Sequence, residues 1–67
     1  MEPSELLNTL RIIRQEQKLI REDIASCLGV RSDSLKVYES GGQFPSLNLL
    51  FRWVDLLGYE IDLHKKG

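Results

Sequence analysis

Ser32, Asp33, Lys36 and Val37 are the residues of this chain best suited to recognition chemistry. Their spacing of one, three and one gathers them on one side of a helix. There they offer a hydroxyl, a carboxylate acceptor, an ammonium donor and a small apolar surface. Such a set matches a partner's hydrogen-bonding edge and breaks no bonds. No nucleophile, base and orienting group assemble from the rest of the sequence, so enzyme activity is not expected. Cys27 is the only cysteine, which excludes an internal disulfide and cannot alone make a metal site. It reads as a helix packing residue, with a redox-sensing thiol as the alternative. His64 beside Lys65 and Lys66 reads as a solvated tail. Neither a metal nor a cofactor is expected.

Presenting that outer face takes two helices and a hinge. Ile24, Ala25 and Leu28 share one apolar face of a helix about two turns long. Gly29 follows directly, the usual residue for ending a helix in a left-handed conformation, and Val30 turns back inward. Leu35 and Tyr38 are the core side of a second helix, begun at Arg31 or Ser32 and stopped by Gly41 and Gly42. With so few residues between them, the two helices cross steeply and share a core: a helix-turn-helix over about 21–40, a device for laying one helix into DNA. Before it, Pro3 and Ser4 start an opening helix that runs to about Gln17, with Leu6, Leu10 and Ile13 as its core face.

In sequence order, the chain resembles the phage repressor/Cro-type (XRE) helix-turn-helix family. The matching pieces are Leu10, Arg11 and Arg14 in an LRxxR opening, Leu19, Glu22-Asp23-Ile24-Ala25 and Leu28-Gly29-Val30. They continue with Ser34-Leu35, Tyr38-Glu39, Gly41, Pro45-Ser46, Leu50 and Leu57-Gly58, so the resemblance covers roughly residues 6–63. It implies an all-α, compact four- to five-helix lambda-repressor-like domain that binds double-stranded DNA. Ser32, Asp33, Lys36 and Val37 match the family positions that face the major groove. There Lys36 would reach guanine acceptors or a phosphate, Asp33 the cytosine amino group and Val37 a thymine methyl, while Ser32 is undiscriminating. Arg21, Arg31, Ser40 and Gln43 resemble positions that hold the phosphate backbone. Arg11 and Arg14 sit where the family's first helix nears the phosphates; the alternatives are solvation or pairing with Glu16 or Asp55. For Lys36 and Gln43 the alternative is a solvated surface residue. The resemblance gives Glu39 a structural role rather than a DNA contact. The chain departs from the family at Ile20 and Arg21, where Ser and Gln are usual, so a helix cap is missing and Glu22 and Asp23 compensate through the helix dipole. Arg31, Asp33 and Val37 also depart from the usual residues, which leaves the target sequence open.

The last third asks for a second copy. Leu47, Leu50, Val54 and Leu57 form one helical stripe, read as domain core; Leu49, Trp53 and Leu56 form another, and Phe51 adds to the apolar surface. A helix apolar over so much of its circumference is buried on more than one side. Trp53 is the first candidate for a dimer contact, with completion of the monomer core as the alternative. Beyond Gly58 the period changes to two: Tyr59, Ile61 and Leu63 alternate with Glu60, Asp62 and His64. No second strand exists in the chain to pair with. A short C-terminal β-strand at about 59–63 is therefore expected to pair across a homodimer, as in antitoxin-type members of the family. A frayed tail packed by Tyr59 and Ile61 is the alternative.

Composition bounds these readings. A chain of 67 residues, 42% hydrophobic and 28% charged, is one soluble globular domain spanning 1–67, near the size at which a single core still holds. Nothing in it resembles a membrane span or signal peptide, so cytoplasmic residence is expected. The net charge of −1 and pI of 5.7 are the main objection to nucleic-acid binding. Against that, Arg11, Arg14, Lys18, Arg21, Arg31 and Lys36 all fall in the first half and Asp55, Glu60 and Asp62 in the last third. Three functions fit. The first is a dimeric repressor of its own operon on a palindromic operator, phage or bacterial, with recognition helices about 34 Å apart. The second is an antitoxin that also neutralises a toxin, although no toxin-binding extension is evident. The third is a helix-turn-helix that acts only through protein contacts.

Overall fold

Four helices form in the order α1 (Pro3–Glu16), α2 (Arg21–Leu28), α3 (Ser32–Ser40) and α4 (Leu47–Leu56). The computed structural model describes residues 2–63 and 65. Among the described residues all regular structure is helical, which agrees with the all-α expectation. The core gathers Leu7 and Leu10 of α1, Ile24, Ala25 and Leu28 of α2, Leu35 of α3, and Leu50, Trp53 and Val54 of α4, with Leu57 just beyond it. α3 packs against both α1 and α2, and α4 closes the core over α2.

Local chemistry sets the helix ends. Pro3 opens α1, where its missing N–H is no loss. α2 begins without a side-chain cap, and Glu22 and Asp23 lie in its first turn, where the helix dipole favours carboxylates. α3 likewise starts uncapped behind Arg31, so the hydroxyl of Ser32 does not serve as its cap. α4 has a capping side chain: the Ser46 hydroxyl accepts from the Leu49 N–H at 3.2 Å.

Between α2 and α3 the turn is three residues long. Gly29 is left-handed, with φ +73°, and its N–H bonds the Ser26 carbonyl while the Val30 N–H reaches back to Ala25 at 3.0 Å. This is the paired-bond helix stop that needs a positive φ at its pivot. A Cβ added at Gly29 meets nothing within 4 Å, so only the backbone conformation opposes a side chain there. Gly29→Ala is accordingly expected to lower stability by about 1 kcal/mol in chemical denaturation. A loss several times larger would mean that the turn is more crowded than the structure has it.

Several expectations are corrected. The buried stripe of α1 is Leu7, Leu10 and Arg14, with Leu6 and Ile13 at its margins, because an arginine occupies an inward position that apolar periodicity cannot mark. On α4 the inward face is Leu50, Trp53, Val54 and on to Leu57, whereas Leu47 is 66% exposed. Cys27 is exposed and is not a packing residue. The C-terminal β-strand expected at about 59–63 is not formed: these residues follow α4 without regular structure, and Tyr59, Ile61 and Leu63 are all exposed. A ladder needs a second extended segment, and none exists among the described residues. His64, the last outward position of the alternating pattern, and Lys66 of the expected solvated tail lie outside the described residues. Among the described residues no helix is long and apolar enough to cross a membrane.

Candidate nucleic-acid interface

Beneath the outer face of α3 lies a buried ionic tie. The Glu39 side chain is 1% exposed, yet it accepts three charge-assisted hydrogen bonds. Arg14 Nε donates to Oε2 at 2.7 Å and Arg14 Nη2 to Oε1 at 3.2 Å, while Arg21 Nε donates to Oε1 at 3.1 Å. Arg14 uses a further nitrogen, Nη1, to hold the Leu19 carbonyl at 2.9 Å. One carboxylate thereby joins α1, α3 and the first residue of α2. The two-pronged Arg14 contact gives the tie direction as well as strength. Arg14 is therefore not a phosphate ligand: its guanidinium is buried and its hydrogen bonds serve the fold. Glu39 has the structural role that the family resemblance assigns it.

Above the tie, Asp33, Lys36 and Val37 are exposed and Ser32 is half-buried. The inward side of the same helix is taken by Leu35, Tyr38 and Glu39. All four residues singled out by spacing therefore share the outer side of α3. Asp33 lies 3.6 Å from Arg31 in a solvent-exposed pair, which offsets part of its negative charge at this surface.

To one side of this face, α1, α2 and α3 border an open cleft of about 490 Å³. Arg11, Arg21 and Lys36 line it together with Ser4, Asn8 and Ser40, and Glu39 forms its floor. The Asn8 carboxamide oxygen steadies the Arg11 guanidinium, accepting from Nε at 3.2 Å and Nη2 at 2.6 Å. The Arg21 side chain remains 31% exposed, with only Nε committed to Glu39. Among the described residues Lys36 forms no hydrogen bond or ion pair. The local balance is three cations against one carboxylate, and that carboxylate is already matched by buried Arg14. A chain of net charge −1 thus concentrates positive charge beside α3. Ser40 is less suited to a phosphate than expected, because its hydroxyl already donates to the Val37 carbonyl at 2.8 Å. Arg31 and Gln43 are exposed, outside the cleft lining.

Sequence patterns did not single out Asn8, and they gave Ser4 only as part of a helix start. Asn8 stands three residues before Arg11 on the same helix, a spacing at which a carboxamide reaches a guanidinium, and that was the available signal. Ser4 enters only through tertiary packing: Gly41, left-handed at φ +82°, brings the end of α3 against α1, and a Cβ built on Gly41 would stand 3.5 Å from Ser4 Cβ.

The residues expected at a dimer contact separate into two groups. Trp53 is 0% exposed and offers no surface to a second copy, whereas Leu49 is half-buried, packed in part against the core. The reason is that the core face of α4 takes in Trp53 together with Leu50, Val54 and Leu57, while Leu47 and Leu56 are left outside it. Leu56, Tyr59, Ile61 and Leu63 are exposed, and Phe51 joins them. Phe51, Tyr59 and Ile61 border a shallow groove beside Val54, rimmed by the acidic Asp55 and Glu60.

Together these features define a small four-helix domain in which a buried arginine–glutamate tie supports an outward-facing polar helix beside a cationic cleft. No family model, curated protein or solved structure matches the chain.

Proposed function

We propose that this chain is a sequence-selective DNA-binding transcriptional regulator of the phage repressor/Cro type. It acts as a homodimer on a palindromic operator, with α3 in the major groove, and it carries out no catalysis. The observation that carries the reading is the grouping of Ser32, Asp33, Lys36 and Val37 on the outer side of α3, immediately beside the cleft of Arg11, Arg21 and Lys36. A helix that displays donors, acceptors and a methyl surface matches base edges, and adjacent cations match the phosphates that flank them. The short turn at Gly29 supports the same reading, since it holds α3 against α2 as one rigid unit.

Dimerisation in this reading uses Phe51, Leu56, Tyr59, Ile61 and Leu63. These side chains are exposed in the single chain; within 59–63 the N–H groups of Tyr59 and Leu63 are bonded inside the chain, and those of Glu60, Ile61 and Asp62 form no hydrogen bond among the described residues, so a second copy could bond them. In this reading the chain represses its own operon, and its concentration sets the degree of repression.

Selection from a randomised duplex library tests the reading. The wild-type chain is expected to enrich two inverted half-sites about one helical turn apart. Asp33→Ala is expected to enrich a different base at one position in each half-site. Failure of the wild type to enrich any motif at low salt would leave a protein-interaction module as the function.

A further inference from the structure

A relay of hydrogen bonds joins α3 to the point where residues 59–63 begin. Glu39 of α3 accepts from Arg14, and Arg14 Nη1 donates to the Leu19 carbonyl at 2.9 Å, which fixes the turn after α1. Gln17 sits in that turn. Its neighbour Lys18 is left-handed at φ +59° and its own backbone N–H bonds the Ile13 carbonyl at 3.0 Å, so Gln17 is presented from a set conformation. Its side chain crosses to the end of α4, where Nε2 donates to the Leu57 carbonyl at 2.7 Å in a partly buried bond. A carbonyl only accepts, so the amide nitrogen must face it.

Leu57 is where the chain changes course. Gly58, left-handed at φ +85°, bonds back to the Asp55 carbonyl at 2.9 Å and the Tyr59 N–H to that of Val54 at 3.1 Å, so residues 59–63 depart from a paired-bond helix stop. Among the described residues, two side-chain hydrogen bonds tie α4 and its end to the other helices, and the second, from Arg52 Nη2 to the Cys27 carbonyl, is long at 3.4 Å and exposed. The rest of the seat of α4 is apolar, through Leu50, Trp53 and Val54. Apolar contact has no direction, so the short Gln17 bond is what sets an angle there. Five extended residues reach about 16 Å, so a pivot of about 20° at Leu57 swings their far end by about 5 Å, more than the ~3.4 Å rise of one base pair.

We propose that Gln17 is a positioning residue: by holding the Leu57 carbonyl it fixes the direction in which residues 59–63 leave the domain, and thereby the separation of the two α3 helices in the dimer and the half-site spacing the protein accepts. The consequence for spacing rests on the dimeric DNA-binding reading. The clamp itself belongs to one chain.

The test compares the full-length wild type with Gln17→Glu, which keeps the shape but loses the donor, and Gln17→Lys, which restores a donor of similar reach. Duplexes carrying the enriched half-sites at varied separations are selected by each protein, and binding to a single half-site and amide hydrogen exchange are measured in parallel. The wild type and Gln17→Lys are expected to accept one separation, whereas Gln17→Glu accepts several adjacent ones with unchanged single-half-site affinity. In Gln17→Glu the amides of Gly58 and Tyr59 are expected to exchange on the order of tenfold faster, with those of Val30 and Gly42 unchanged. The same single separation in Gln17→Glu as in the wild type would overturn the positioning role and leave the DNA-binding reading intact. A Gln17→Lys protein as permissive as Gln17→Glu would overturn the hydrogen bond as its cause, and faster exchange at Val30 and Gly42 as well would mean general loosening, which also overturns it. A wild type that enriches no duplex removes the DNA-binding reading and the spacing role with it; unchanged exchange at Gly58 and Tyr59 in Gln17→Glu would then overturn the clamp separately.

Discussion

Glu39→Ala is expected to cost about 3–5 kcal/mol, a large part of the stability of so small a domain. The alanine leaves Arg14 buried, with its guanidinium facing an apolar gap in place of a carboxylate. Desolvation of an unpaired charge, rather than the lost hydrogen bonds themselves, dominates the expected loss. Two further variants separate that cause from simple packing. Arg21→Ala keeps the Arg14–Glu39 pair and removes only the partly exposed arm, so a loss of about 1 kcal/mol is expected. The double change Arg14→Met, Glu39→Met removes both charges together, and its stability is expected to lie much closer to wild type than that of Glu39→Ala. Urea denaturation of the four proteins gives the comparison. A double variant as unstable as Glu39→Ala would show that the site needs its ions for more than charge balance.

Trp53→Ala is expected to lose about 3–5 kcal/mol through the cavity left by the largest fully buried side chain. Its indole Nε1 has no hydrogen-bond partner among the described residues, so the native core already carries an unsatisfied donor. Trp53→Phe deletes that donor along with part of the ring. The gain from removing a buried unpaired N–H, about 1–3 kcal/mol, offsets much of the lost packing. The phenylalanine variant is therefore expected within about 1 kcal/mol of wild type by thermal and chemical unfolding. Any effect of Trp53→Ala on association would follow from unfolding. A cooperatively folded Trp53→Ala protein with a wild-type unfolding midpoint would contradict the burial of this residue.

What was legible in the sequence was what local chemistry decides. Gly29 and Gly41 are read as helix stops because a positive φ after an apolar run has few other occupants, and both are left-handed. The boundaries of α1 and α3 follow from Pro3, Ser32 and the glycine pair in the same way. The register of α1 was not legible: Arg14 faces inward only because Glu39, 25 residues later, meets it there. Lys18 was silent too. It adopts φ +59° in the turn after α1, a conformation usually given to glycine or asparagine. On α4, two apolar stripes competed, and periodicity alone ranked the Leu47 stripe as core. That stripe is buried at Leu50, Val54 and Leu57 but not at Leu47, and Trp53 of the other stripe joins it, which seats the largest side chain of α4 in the core. The alternation from Tyr59 to Leu63 is real in sequence but yields no strand in one chain, since a strand is a relation between two segments. For the candidate interface, exposure of Asp33, Lys36 and Val37 was legible from the outer face of one helix, whereas the cleft, assembled from three helices, was not.

Charge distribution connects these points to function. An acidic chain concentrates cations where α1, α2 and α3 meet, while Asp55 and Glu60 rim a second, separate groove beside exposed Phe51, Tyr59 and Ile61. In the proposed reading, polyanion attraction and association with a second copy would use different surfaces.

The most direct measurement is the ratio of affinities for an enriched duplex and a shuffled duplex of the same composition, taken at one fixed salt concentration. A regulator that reads bases through α3 is expected to prefer the enriched duplex by about a thousandfold or more. Ser32→Ala, Asp33→Ala and Val37→Ala together are expected to bring that ratio close to one while nonspecific affinity persists. Equal affinity of the wild type for the two duplexes, or a ratio unchanged by the triple substitution, would contradict the assignment of α3 as the reading helix.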